Sequence, residues 1–213
     1  MIATLIWRDL ARAFRSGGIA MPVAFFLLVA TLYPFAVGPD GPLLAKTGGG
    51  VLWVAALLAA LLPVDRLIAP DMESGVLDQF AVRGIADESI AIAKIIAHWL
   101  GFGPALMLAT VPAAALLRLD GQTLLTVEIG LLLGTPGLAS LGVMNASLTS
   151  GLRGASALTG LLMLPLAIPI LIFGAGSLGP SGVGGLKLLA AASLLLCAIA
   201  PYATGAALRG LRD

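Results

Sequence analysis

The chain offers one histidine, His98, and one cysteine, Cys197, among 213 residues. A structural metal centre needs three or four such ligands converging, and a disulfide needs two cysteines, so neither is expected. Cys197 stands in an apolar run and reads as a packing thiol. Gly179, Pro180, Ser181 and Gly182 match the Gly-x-Ser-Gly of an intramembrane serine protease. The histidine precedes them by two apolar stretches, however, and starts on the opposite face, leaving the hydroxyl without a base. Residues 182–187 are glycine-rich but lack the spacing, and the preceding strand, of a phosphate-cradling loop. No catalytic residue is assigned.

Charge is gathered elsewhere. Residues 65–94 hold Asp65, Arg66, Asp71, Glu73, Asp78, Arg83, Asp87, Glu88 and Lys94 between two long apolar runs. Pro70 and Asp71 are expected to break the preceding helix, Ser74 and Gly75 to supply an N-cap and a turn, and Gly84 to end two helical turns over 76–82. Asp87 or Ser89 would then cap the next helix. On the short helix Val76, Phe80 and Arg83 share one side with Leu77 close by, while Asp78 and Gln79 sit apart. Such an element fits docking to a soluble partner. It equally fits a solvated connector whose apolar side rests on a bilayer, and the residues alone leave both open.

The elements that must position this loop are membrane helices. Hydrophobic residues make up 59% against 11% charged, with mean hydropathy +1.05, far from soluble composition. Six apolar stretches, 19–38, 47–64, 95–117, 122–144, 155–178 and 186–208, each approach the ~20 residues needed to cross a bilayer. Backbone groups in lipid must be paired internally, so these are predicted helices, kinked at Pro104, Pro112, Pro136, Pro165 and Pro169. With both termini cytoplasmic, Arg8, Arg12, Arg15, Arg66, Arg83, Lys94, Arg153, Arg209 and Arg212 lie inside and only Lys46, Arg118 and Lys187 outside, which sets the orientation. Basic residues scattered singly exclude a nucleic-acid surface.

Residues 1–17 predict a separate amphipathic helix. Arg8, Arg12 and Arg15 fall in one arc opposite Ile2, Ile6, Trp7, Leu10 and Phe14, as in a helix lying in the headgroup plane with its basic face toward anionic lipid. Ala36, Val37 and Gly38 have the small-x-small pattern of a signal-peptide cleavage site, but the apolar run before them exceeds the ~7–15 residues of a signal peptide. Glu128 is the one acidic residue well inside a predicted span, and either packs inward or snorkels. Gly130 and Gly134 make a ridge for close helix approach.

The order Glu73, Gly75, Leu77, Asp78, Phe80 between the second and third of six spans, after a basic amphipathic helix, resembles the permease half of ABC-2 type exporters. More narrowly the chain resembles the CcmB family of cytochrome c maturation permeases, a haem exporter subunit. The residues carrying this are Pro34, Gly38 and Pro39; Trp53 to Leu58; Ala93, Lys94, Ala97, His98 and Trp99; Leu131 to Pro136; Leu164, Pro165, Ile168, Pro169 and Phe173; and Pro201, Thr204 and Arg209. One departure is Gly84, Ile85 and Ala86, where the family tends to have prolines.

The resemblance implies an all-α fold, a single six-helix permease domain over residues 1–213 with an interfacial helix (1–17) and a coupling loop (65–94). Glu73, Gly75, Val76, Leu77, Asp78 and Phe80 would couple to a cytoplasmic ABC ATPase (CcmA-like), the only source of ATP, and Trp7, Arg8, Arg12 and Arg15 would meet the membrane interface. Further implied partners are a second permease copy, a haem-handling membrane protein (CcmC-like), a small membrane subunit (CcmD-like) and a periplasmic haem chaperone (CcmE-like), in a bacterial inner membrane. No cofactor is expected to be bound firmly; haem is the implied transported ligand, and His98 a candidate axial ligand. Against that, His98 and Trp99 also read as interfacial residues, each with one wet edge. The alternatives are an ABC-2 exporter of lipid, polysaccharide or drug, and a non-transporting assembly scaffold.

Overall fold

The computed structural model describes residues 2–151, 155–180 and 182–212, with side chains for all of these except 155–159. Arg153 and Ser181, used above in the charge balance and the protease motif, lie outside the described residues. Every regular element described is helical: α1 (Ile2–Arg15), α2 (Ala20–Val37), α3 (Gly41–Leu61), a 3-10 turn (Val64–Arg66), α4 (Ala69–Glu73), α5 (Val76–Val82), α6 (Asp87–Leu116), α7 (Gly121–Thr149), α8 (Ala155–Gly176) and α9 (Gly182–Gly210). Five stretches, led by α2, α3, α6, α7 and α9, are long and apolar enough to cross a membrane, and the described apolar part of α8, Gly160–Gly176, is shorter.

Local chemistry explains the breaks. Gly17 takes φ +71°, open to glycine at little cost, and turns the chain from α1 into α2. Asp40 caps α3 by accepting a hydrogen bond from the Leu43 amide at 3.2 Å, and Asp120 caps α7 through the Thr123 amide at 2.8 Å, which holds the Asp120 carboxyl below its ordinary pKa. The span expected from 47 therefore starts at Gly41. The one expected from 95 starts at Asp87, because its first two turns are charged yet buried against other helices.

Three expectations about the loop need correction. Pro70 opens α4 as a first-turn proline rather than ending α3, which has already stopped at Leu61. Ser74 does not cap α5, since its hydroxyl donates back to the Pro70 carbonyl at 2.6 Å and Gly75, at φ +68°, takes the N-cap position. Neither Asp87 nor Ser89 caps α6, whose N-cap is Ala86 without a side-chain bond. The exit of α5 is a glycine-ended turn: the Gly84 amide donates to Ala81 at 2.9 Å and the Ile85 amide to Phe80 at 3.0 Å, with Gly84 at φ +68°.

The bundle closes around Trp53 of α3, which is 1% exposed. A Cβ placed at Gly130, Gly134 or Gly174 would lie 2.8, 2.9 or 2.5 Å from its indole. The Gly130 and Gly134 ridge thus receives a side chain of its own chain, and α3, α7 and α8 approach through it. The helices carrying Pro34, Pro104, Pro112, Pro136, Pro165, Pro169 and Pro201 run on through them.

Candidate functional site

The loop is fastened by one carboxylate. Asp71, on α4, is completely buried and accepts from three cations: Lys94 Nζ on α6 at 2.6 Å, Arg8 at 2.7 Å and Arg12 at 2.7 Å on α1. Lys94, itself 4% exposed, also reaches the Leu67 carbonyl at 2.8 Å and Asp9 at 3.3 Å. A buried carboxylate is tolerated only with such compensation. The hydrogen bond that Arg12 donates to Asp71 raises the Arg12 pKa above its ordinary value. The result is a node joining α1, α4 and α6.

This node corrects the expected setting of α1. Arg8 and Arg12 turn part of their donor set inward, each giving a hydrogen bond to a buried carboxylate of the chain's own loop. Arg15 remains exposed. The outward side carries Trp7, 73% exposed, and Phe14, 67%. A helical wheel finds both faces of such a helix but cannot say which of them meets the protein.

The same holds for α5. Leu77 and Phe80, expected to face outward, are buried in the chain's own core, and the Arg8 guanidinium lies 5.4 Å above the Phe80 ring. Gly75 and Val76 are half-buried. What α5 presents to solvent is Asp78, Gln79, Ala81 and Val82, with Glu73 before it and Arg83 and Gly84 after it. Val82, at 89%, is the most exposed large aliphatic there.

A second ion-pair cluster anchors the far end of the loop. Arg212 reaches Asp87 at 2.5 Å and Arg209 reaches Glu88 at 2.8 Å, tying the end of α9 to the first turn of α6. Sequence reading missed both clusters, because their inter-helix pairs, 23 to 125 positions apart, leave no local pattern.

Between α1, the start of α2, the turn after α3 and α6 lies a cavity of about 160 Å³, lined by Asp9, Arg12, Arg66, Lys94, His98 and Phe102 among others. His98 is 7% exposed and packs on Phe102 with ring centroids 4.8 Å apart.

The family model "CcmB protein" matches residues 1–210. The chain belongs to the CcmB family. Heme exporter protein B of Rhodobacter capsulatus is 44% identical over 96% of this chain and 97% of its own length. The Paracoccus denitrificans protein of that name is also 44% identical, with the same coverage. That of Escherichia coli K12 is 38% identical over 96% and 98%.

In this CcmB family member the remaining candidates separate clearly. Trp99 is not a free interfacial ring, since its Nε1 donates to Thr135 Oγ1 on α7 at 3.0 Å. One edge of His98 is closed off: its Nε2 is buried without a partner among the described residues, and a Cβ at Gly142 would lie 3.1 Å from it, while the ring also borders the cavity. Glu128 is half-buried, with one carboxylate oxygen enclosed and without a partner among those residues. Cys197 is half-buried and accepts from Ser140 Oγ at 3.3 Å, a packing role. No cluster of three or more His, Cys, Asp or Glu suited to a metal occurs among the described residues.

Proposed function

We propose that this chain is the membrane-spanning subunit of an ABC transporter serving haem export or delivery in c-type cytochrome biogenesis. The observation that carries the proposal is the full-length CcmB match, with relatives named Heme exporter protein B. In this reading α8, at 22 residues and about 33 Å, is the sixth crossing. Both termini and the 65–94 loop face the cytoplasm of a bacterial inner membrane, and α1 lies at the interface with Trp7 and Phe14 toward lipid.

ATP comes from a cytoplasmic ATPase subunit that docks on α5. The docking face is Glu73, Asp78, Gln79, Val82 and Arg83, while Gly75, Val76, Leu77 and Phe80 set the shape and seat of the helix. Motion of α5 passes across the Ser74–Gly75 turn to α4 and from there, through Asp71, to α1 and α6, because the node ties α4 to both. Two permease copies with two ATPases form the core. A haem-handling membrane protein, a small membrane subunit and a periplasmic haem chaperone complete the system.

Co-expression with the ATPase and purification in mild detergent tests this. The ATPase should be retained, and haem absorbance should appear only when the haem-handling protein is also present. A permease that purifies intact but never carries an ATPase would reject the transporter reading.

A further inference from the structure

We propose that the cavity at the α1–α2 elbow binds the phosphate group of an anionic phospholipid from the leaflet on the loop side of the membrane. Its rim carries two guanidiniums with donors to spare. Arg12 gives Nη1 to Asp71, and Arg66 gives Nη1 to the Ser16 carbonyl at 3.1 Å. Each guanidinium has five N–H donors, so both keep others for a phosphate oxygen. Lys94 is different. Its contacts to Asp71, Asp9 and Leu67 match its three donors, so it fixes the wall rather than the ligand. Asp9 also lines the cavity and would oppose an anion, but Arg8 and Lys94 pair with it.

The floor is of the other kind. Ile19, Leu67, Ala97, Gly101 and Phe102 are apolar and line the same cavity, the last three further along α6 than Lys94. Cations above apolar surface match the boundary between a headgroup and its acyl chains. Trp7 and Phe14, exposed on the outward side of the same α1, belong at that boundary too. Volume limits the ligand. About 160 Å³ is below the ~300–1,000 Å³ of pockets that enclose drug-sized molecules. A phosphate and glycerol fit, with the chains left in the bilayer; a porphyrin does not. The loop side is also the basic side, where anionic lipids gather if it is cytoplasmic.

The test uses the full chain in detergent, stripped of lipid and titrated by native mass spectrometry with phosphatidylglycerol, phosphatidylcholine and inorganic phosphate. One phosphatidylglycerol should bind per chain in preference to phosphatidylcholine. Arg66→Gln should weaken it about fivefold, the effect of one cation near a headgroup, and Arg66→Lys should restore part of it. Arg118→Gln, an exposed cation on the α6–α7 turn, should change nothing. A melting curve for Arg66→Gln matching the wild type shows that the fold is intact. The site is refuted if Arg66→Gln binds as the wild type does, or if phosphatidylcholine binds equally well. Displacement by inorganic phosphate would make it a free-phosphate site and overturn the lipid assignment, as would haem bound there in place of lipid.

Discussion

Asp71 on α4 and Lys94 on α6 lie 2.6 Å apart, both buried and 23 positions apart in the chain. Arg8 and Arg12 complete the cage from α1. One carboxylate therefore fixes the loop to two other elements, and its loss would free all three at once.

Asp71→Asn should leave Lys94 as a buried cation whose nearest carboxylate, Asp9, is 3.3 Å away and shared with Arg8. Removing one partner of a buried pair costs about 3–5 kcal/mol, and the partial exposure of Arg8 and Arg12 places this case toward the lower end. Thermal unfolding in detergent should show the loss, with Asp78→Asn, on exposed surface, as the near-neutral control. Equal melting of the two variants would show that the node adds no stability.

Substitutions on α5 should divide by face. Leu77→Asp and Phe80→Asp each bury a charge in the chain's own core, at a cost of several kcal/mol, and should deplete the permease from the membrane. Val82→Asp should leave permease levels unchanged and reduce recovery of the ATPase. Full ATPase recovery with Val82→Asp would move the docking face elsewhere.

Helix positions were legible because a long apolar run in lipid has one stable form. Ends were less so: α6 begins two turns before its apolar window, since Asp87 and Glu88 are held by Arg212 and Arg209 from the far end of the chain. The loop's length and its glycine turns could be read, but its orientation could not. Periodicity places Phe80 and Val76 on one side of α5, yet which side is buried depends on α1, whose Arg8 covers Phe80. Family resemblance identified the segment without supplying that contact.

Trp53 gives a packing test inside the bundle. At Gly174 an added methyl would sit 2.5 Å from the indole, so Gly174→Ala should destabilise by about 1–3 kcal/mol of overpacking despite a helix-propensity gain of about 1. Gly184→Ala, with nothing within 4 Å, should be neutral or slightly stabilising. Trp53→Phe should partly rescue Gly174→Ala. Additive losses in the double variant would show that the two sites do not interact.

Orientation is open to labelling. In a Cys197→Ser background, cysteines at Pro39 and Gln122 should react with an impermeant reagent from the periplasm, and cysteines at Ser74 and Arg83 should not. The reverse pattern would invert the topology argued from the basic residues.

His98 decides whether this subunit holds haem by itself. The imidazole packs on Phe102, its Nε2 faces Gly142, and the adjoining cavity is about 160 Å³, too small to bring a porphyrin iron to it. The isolated permease is therefore expected to show no Soret band. His98→Leu, which keeps the apolar packing and removes the ligand, should leave the fold and cytochrome c maturation in cells largely intact. His98→Ala should lower the melting temperature through lost packing, yet still support maturation where the protein accumulates. A Soret band in the purified wild-type subunit that is absent from His98→Leu would establish axial ligation and require the α1–α6 contact to open when haem arrives.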